Sequence, residues 1–188
     1  AKMIEQLTHA FEHFSGDDKR IVLIISSTGN SCCAGGDLDW MKKQMFSDRA
    51  TRIKEATKLA DLLYKMYHFP KPLIAKIEGN AFGGGIGIIS VCDIAICNEN
   101  IKLALTEVKL GLIPATISPY VILKIGSNNA LDLFTSGRNF NAQDAKKMGL
   151  IKTISKDDDI DNLISREIKT FLVNAPSAIS ASKKLVKN

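Results

Sequence analysis

Three consecutive glycines at residues 83–85 have the clearest potential for chemistry in this chain. Residues 72–77 before them form a short apolar run, which predicts a buried strand, and the apolar pattern of residues 86–92 suits a buried helix. Glycines at the start of a helix leave backbone N–H groups that no side chain shields. Because the helix dipole is positive at this end, those groups would stabilise an anion or a developing oxyanion.

A second loop of small residues lies upstream, at residues 32–40 (CCAGGDLDW). It follows the apolar run 21–25, which predicts a strand buried on both faces. The small side chains allow a ligand to approach the backbone closely. Asp37 and Asp39 fall near the start of the next helix, where carboxylates can cap it. Two such loops, each between a strand and a helix, could converge on one oxygen atom as an oxyanion hole.

A single acid, Glu107, lies in the apolar loop 106–114, between Leu105 and Val108. Apolar surroundings raise the pKa of a carboxyl group, and a raised pKa suits proton transfer near neutral pH. We therefore expect Glu107 to be an acid or base in a site. The alternative is a solvated or helix-capping glutamate.

Helical periodicity alternates with short apolar runs along the rest of the chain. The predicted helices are residues 3–14, 53–67, 118–125, 129–135, 141–148 and 160–173, and the further strands are residues 94–97, 101–105 and 150–154. Asn141 is placed to cap its helix and Gly149 to end it. Strands that alternate with helices favour an α/β fold with a largely parallel sheet, and 188 residues suit one domain.

Composition and charge limit the classes of partner. Hydrophobic residues make up 45% of the chain, which is typical of a globular protein. The formal net charge of +5 comes from dispersed lysines, without a basic run that alternates with aromatics, so nucleic acid is a weak candidate. A polyanionic small molecule fits equally well, and solubility alone needs no partner. No apolar run approaches the roughly 18 residues of a membrane span.

The four cysteines indicate a reducing compartment. Cys32, Cys33, Cys92 and Cys97 form no C-x-x-C pair, and neighbouring Cys32 and Cys33 point in opposite directions on a strand. We expect all four to be reduced, in a cytoplasmic protein with no metal site.

Four segments resemble, in order, the signatures of the crotonase (enoyl-CoA hydratase/isomerase) superfamily. Residues 32–38 are similar to the first signature, F-x-A-G-A/G-D-L/I, and residues 79–93 to the second, G-x-x-x-G-G-G-x-x-x-x-x-x-C-D. Residues 107–114 match the third signature, and residues 133–151 resemble the fourth, so the resemblance covers nearly the whole chain. It implies a ClpP/crotonase-type spiral of ββα units with a parallel sheet, as one core domain over residues 1–188.

The resemblance also implies a site and an assembly. In the family, acyl-CoA thioesters bind between the first two signatures, and the N–H groups matching Gly36 and Gly84 grip the thioester oxygen. The residues expected to line the coenzyme A side are Ala34, Gly36, Asp37, Leu38 and Asp39, with Trp40 near the pocket. Coenzyme A belongs to the substrate, so no separate cofactor is expected. Crotonases assemble as trimers or dimers of trimers, and we expect the same here. Both chain ends look truncated, with the trimer-forming C-terminal helices largely absent.

One departure from the family pattern concerns the reaction. Family hydratases hold a water with two glutamates, at the positions of Gly87 and Glu107, and the first is glycine here. A single glutamate suffices in some isomerases of the superfamily. It also occurs in a hydratase subgroup similar to methylglutaconyl-CoA and carboxygeranoyl-CoA hydratases, whose substrates carry a second carboxylate. Residues 87–93 (GIISVCD), 37–41 and 115–120 resemble that subgroup. We therefore favour a hydratase, with an isomerase or an inactive acyl-CoA-binding module as alternatives.

Other catalytic motifs fit less well. A dinucleotide-binding turn would need glycine at position 90, where this chain has serine, and the Gly-Lys-Ser/Thr of a phosphate-binding loop is absent. A serine peptidase on the same fold would need a Ser–His pair. The histidines, His9, His13 and His68, are predicted to lie on helix surfaces or at a helix end.

Overall fold

The computed structural model describes residues 2–156 and 159–187. Its helices are α1 (Lys2–Ser15), α2 (Leu38–Met45), α3 (Arg49–Tyr67), α4 (Gly84–Val91), α5 (Ser118–Ile125), α6 (Ser127–Ser136), α7 (Ala142–Lys147), α8 (Ile160–Leu172) and α9 (Pro176–Lys187). Its strands are β1 (Leu23–Ile25), β2 (Ser31–Cys33), β3 (Leu73–Ile77), β4 (Asn80–Phe82), β5 (Ile94–Asn98), β6 (Lys102–Ala104), β7 (Asn139–Asn141) and β8 (Thr153–Ser155), and a 3-10 turn spans Glu107–Leu110.

The strands form two sheets that the chain visits in turn. One sheet has the order β1-β3-β5-β8 and is parallel throughout. The other has the order β2-β4-β6-β7, in which only the β6–β7 pair is antiparallel. The first three passes along the chain therefore each add one strand to each sheet before a helix follows, and in the last pass α7 lies between β7 and β8. The predicted ββα spiral with parallel sheets is confirmed.

The helix α4 lies at the centre of the apolar core. Most of its residues are buried, and they pack in one cluster with Leu62, Leu63 and Met66 of α3. The first sheet contributes to this cluster through alternate residues of β3, whereas Ile74 faces a second cluster with Ile160 and Ile164 of α8. This alternation places one face of the sheet towards α4 and the other towards α8.

The strand β1 differs from its prediction. Residues 21–25 were expected to form a strand buried on both faces, but β1 covers Leu23–Ile25 and Ile24 is 44% exposed. Because β1 is at the sheet edge, Ile24 lies beside Ile74 but beyond the part of the face that α8 covers. Apolar runs predict strands, but they do not tell an edge strand from a central one.

Short elements account for the other differences. The strands β4 and β7 have three residues each and were not predicted. The last strand covers residues 153–155 instead of 150–154, while Leu150 and Ile151 are buried in the segment that leads into it. Asn141 caps α7 as predicted, with its side chain accepting a hydrogen bond from the N–H of Asp144 at 2.9 Å. None of the helices in the described part of the chain is long and apolar enough to cross a membrane.

The helix α9 is held to the core by an ion-pair cluster around Asp93. No residue of α9 is buried, but Lys183 and Lys187 both contact the Asp93 carboxylate, Lys187 at 2.7 Å. Asp93 also accepts a hydrogen bond from the N–H of Leu73 at 2.8 Å. Burial lowers the pKa of Lys183, and the negative charge of Asp93 opposes that shift. The cluster therefore depends on the Asp93 carboxylate as the counter-charge of two enclosed ammonium groups.

We expect Asp93→Asn to destabilise the chain by about 3–5 kcal/mol, because it leaves two enclosed ammonium groups without a counter-charge. The measurement is urea unfolding at neutral pH. The matched control is Asp161→Asn, which removes an ion pair to Lys76 from a side chain that is 80% exposed, and should have little effect. Equally small losses in both variants would contradict the role of Asp93.

Candidate active site

The N-terminal turn of α4 presents backbone amides rather than side chains. Gly83 precedes the helix with φ +52°, in the region that favours glycine, and its N–H donates to the carbonyl of Ala104 at 3.0 Å. Gly84 is the first helical residue, and its N–H has no acceptor among the described residues. This N–H lies at the positive end of the helix dipole, where an oxyanion would be stabilised.

Close packing brings the first loop to this turn. A Cβ atom at Gly85 would lie 2.5 Å from Cβ of Cys33, so a larger residue at 85 would collide with the end of β2. A Cβ atom at Gly79 would lie 2.5 Å from the carbonyl oxygen of Asn30, just before β2. Glycine at both positions therefore lets the α4 turn approach the strand that leads into residues 34–40.

The first loop also presents a backbone N–H. The amide of Gly36 has no acceptor among the described residues. Asp37 caps α2 as predicted, with its carboxylate accepting from the N–H of Trp40 at 3.0 Å, and this bond lowers the pKa of Asp37. Asp39 lies in the first turn of α2, and Ala34 is exposed in the loop before it. A Cβ atom at Gly36 would lie 2.9 Å from Sδ of Met41, a contact that the sequence did not predict.

Trp40 is held by α3. Its indole Nε1 donates to the Glu55 carboxylate at 3.3 Å, and its side chain is half-buried. This bond fixes the indole at the junction of α2 and α3. The first loop is thus attached to the fold at both ends, through Cys33 in β2 and through Trp40 in α2.

The Glu107 carboxyl group lies beside the α4 turn. Its Oε1 is 3.1 Å from the position of a Cβ atom at Gly83, next to the free N–H of Gly84. Its Oε2 is buried and has no hydrogen-bond partner among the described residues. Burial raises the pKa of Glu107, although its own backbone N–H opposes the shift. A partly buried carboxyl group beside an unpaired amide can exchange a proton with a bound carbonyl compound.

The space that a side chain at position 87 would need is already occupied. A Cβ atom at this residue would lie 2.4 Å from Cγ2 of Ile117. Ile117 belongs to residues 115–120, one of the segments that resemble the hydratase subgroup. That resemblance was the only signal in the sequence, because nothing in it indicated which residue Ile117 contacts.

The histidines lie outside the α4 turn and the first loop, and the cysteines are free thiols. His9, His13 and His68 are exposed, on α1 and at the end of α3. All four cysteines are free, and burial raises the pKa of Cys92 and of Cys97 to about 12. Within residues 2–156 and 159–187, no three His, Cys, Asp or Glu side chains are grouped so that they could hold a metal ion.

The spiral fold and its glycine turn define the crotonase class, and comparison with known sequences agrees. Residues 1–188 match the family model described as enoyl-CoA hydratase/isomerase, and the chain belongs to this family. The crystal structure of an enoyl-CoA hydratase from Shewanella pealeana superposes with a TM-score of 0.95 at 38% identity. The match covers 98% of this chain and 69% of that one.

Two curated relatives extend the comparison. The enoyl-CoA hydratase ACTT6 of Alternaria alternata is 30% identical over 98% of this chain. The mitochondrial methylglutaconyl-CoA hydratase of Mus musculus is 28% identical over 96% of it. The chain spans 60% and 59% of the length of these two relatives, respectively.

The raised pKa of Glu107 predicts how stability depends on pH. The folded carboxyl group binds its proton more tightly than the unfolded one, so the free energy of unfolding falls as pH rises from about 4.3 through the raised folded pKa. Glu107→Gln has no such titration. Its stability relative to the wild type should therefore increase with pH across that window, as measured by urea unfolding at a series of pH values.

Glu99→Gln is the control, because Glu99 is exposed in the turn after β5. Its stability relative to the wild type should be nearly constant over the series. If the stability difference between Glu107→Gln and the wild type were also independent of pH, the Glu107 carboxyl group would be solvated in the folded chain.

Proposed function

We propose that this chain adds water to the double bond of an α,β-unsaturated acyl-CoA thioester. The observation that carries the proposal is the Glu107 carboxyl group, whose Oε2 is buried, beside Gly83 and next to the unpaired N–H of Gly84. An enolate with its charge on the thioester oxygen needs both an oxyanion hole and a nearby proton carrier. Membership of the enoyl-CoA hydratase/isomerase family supports this chemistry.

In the proposed reaction, Glu107 is the acid and base. The Glu107 carboxylate takes a proton from water while the water oxygen forms a bond to the β-carbon. The π electrons of the double bond move to the thioester as an enolate, whose oxygen accepts hydrogen bonds from the N–H groups of Gly36 and Gly84. Glu107 then returns the proton to the α-carbon, which restores the thioester carbonyl. The net change is the addition of one water.

We assign the coenzyme A side to the first loop. In this proposal, the backbone of Ala34 and of residues 36–39 lines the coenzyme A, and Trp40 borders it from its position against α3. Exposure of Ala34, Asp37 and Asp39 supports this placement, because a ligand can reach them from solvent. We further propose assembly as a homotrimer or a dimer of trimers.

For the acyl group, we propose a substrate with a second carboxylate, such as 3-methylglutaconyl-CoA. Gly87 offers no side chain to hold the attacking water, and a carboxylate on the substrate can order that water instead. The relative from Mus musculus, named methylglutaconyl-CoA hydratase, supports this choice.

An isomerase is the second candidate, favoured by the absence of a second acid at Gly87. A single glutamate can remove a proton from one carbon and return it to another, and no water has to be held. The third possibility, an inactive acyl-CoA-binding module, has no acid–base role for Glu107.

The test of Glu107 is the variant Glu107→Gln. We expect turnover to fall by about 10²–10⁴-fold, because the amide cannot carry a proton, while coenzyme A binding measured by calorimetry stays unchanged. Glu99→Gln is the exposed control and should keep full turnover. Unchanged turnover in Glu107→Gln would remove Glu107 from the reaction. A wild type that binds acyl-CoA without turnover would identify a binding module.

A panel of thioesters tests the proposed acyl group. We expect kcat/KM for hydration of 3-methylglutaconyl-CoA to exceed that of crotonyl-CoA by about 10-fold or more, the effect of one hydrogen bond to a charged group. Equal values would contradict a role for the distal carboxylate. Conversion of a 3-enoyl-CoA to its 2-enoyl isomer, without hydration of 3-methylglutaconyl-CoA or crotonyl-CoA, would identify an isomerase.

A further inference from the structure

We infer that Gly87 and Ile117 act as one specificity-determining pair. The side chain of Ile117 fills the volume that a side chain at position 87 would occupy, because a Cβ atom there would lie 2.4 Å from its Cγ2 and 2.8 Å from its Cβ. Neither residue alone defines the shape of the molecule at this position. Glycine at 87 admits Ile117, and Ile117 excludes any larger residue at 87.

The pair lies at the first turn of α4, close to the unpaired amide of Gly84. Residues three apart share one helix face, so position 87 lies one turn beyond Gly84, the first helical residue, on the same side. At Gly83, the residue before the helix, the nearest neighbour of a Cβ atom would be Oε1 of Glu107, at 3.1 Å. A side chain at 87 would therefore lie about one turn from the helix start that the Glu107 carboxyl group contacts.

Ile117 cannot easily move aside. It is 3% exposed, and its backbone carbonyl accepts hydrogen bonds from the N–H groups of Tyr120 and Val121, both at 3.1 Å, at the start of α5. The close contact involves its branched Cβ as well as a methyl group, and Cβ moves only with the backbone. A glutamate at 87 would have to displace a buried side chain that is anchored in this way.

The pair gives the site an apolar wall in place of a second acid. Of positions 87 and 107, only the second carries a carboxyl group here, and a simple enoyl-CoA lacks a second group that would hold the attacking water. The pair would thus disfavour unsubstituted enoyl-CoA substrates and leave activity to substrates that order the water themselves. This consequence rests on the proposed function, whereas the steric pairing does not.

A double-mutant cycle of stability tests the pairing without any substrate. Gly87→Ala should lower the urea midpoint of the wild type, because its methyl group collides with Ile117. In an Ile117→Gly background the same change should cause no loss, because the atom of residue 117 nearest to the new methyl group is then its Cα, at 3.9 Å, and alanine favours the helix. Gly84→Ala is the matched control on α4, since nothing lies within 4 Å of its Cβ position, and it should not lower the midpoint. Equal losses from Gly87→Ala in both backgrounds would overturn the pairing.

A second comparison tests specificity. Gly87→Glu combined with Ile117→Gly should raise crotonyl-CoA hydration by about 10-fold or more over Ile117→Gly alone, since a second acid can then hold the water. If the double variant folds but hydrates crotonyl-CoA no faster, the role of the pair in specificity is wrong. A stability cycle with the expected result would then identify Gly87 and Ile117 as a packing pair only. A wild type that turns over no enoyl-CoA would contradict the proposed function. The stability cycle would still test the steric pairing, because it needs no substrate.

Discussion

The close approach of the α4 turn to its neighbours is the constraint on which the rest of the site depends. Gly79 and Gly85 each have a neighbouring atom 2.5 Å from the position of a Cβ atom, and both neighbours belong to β2 or the residue before it. A side chain at either position would separate the two loops. Because both residues are glycine, the α4 turn packs directly against the end of β2, the strand that leads into the first loop, without a side chain between them.

The same helix connects the site with the core. At its first turn, α4 presents an unpaired N–H beside a carboxyl group whose pKa is raised by burial. Beyond its last turn, Asp93 binds two lysines of α9. Between these ends α4 is almost entirely buried, so packing fixes the direction in which its N-terminal amides point. Preorganised amides are effective because they need no rearrangement when charge develops on the substrate.

Much of the fold could be predicted from local pattern. The glycine run and the cap at Asp37 are sequence-local features, and the structure has a helix start at both places. A raised pKa of Glu107 was predicted from the apolar residues near it in the sequence, and burial raises this pKa in the structure. The catalytic roles of Gly36, Gly84 and Glu107 stay predictions.

Features that depend on distant residues could not be predicted in this way. The exposure of Ile24 depends on how far α8 extends across the sheet, and α8 lies more than 130 residues later in the chain. The strands β4 and β7 are too short to show periodicity. The contact between Gly87 and Ile117 joins two segments thirty residues apart, and only packing determines which side chains meet.

A crystal structure of the protein with bound acetoacetyl-CoA tests the central claim most directly. The account predicts that the thioester oxygen lies about 2.7–3.1 Å from the backbone nitrogens of both Gly36 and Gly84, the distance of an oxyanion-hole hydrogen bond. A Glu107 carboxyl oxygen should lie within about 4 Å of the α-carbon, close enough to exchange its proton. A thioester oxygen bound to neither amide, or an α-carbon facing away from Glu107, would contradict it.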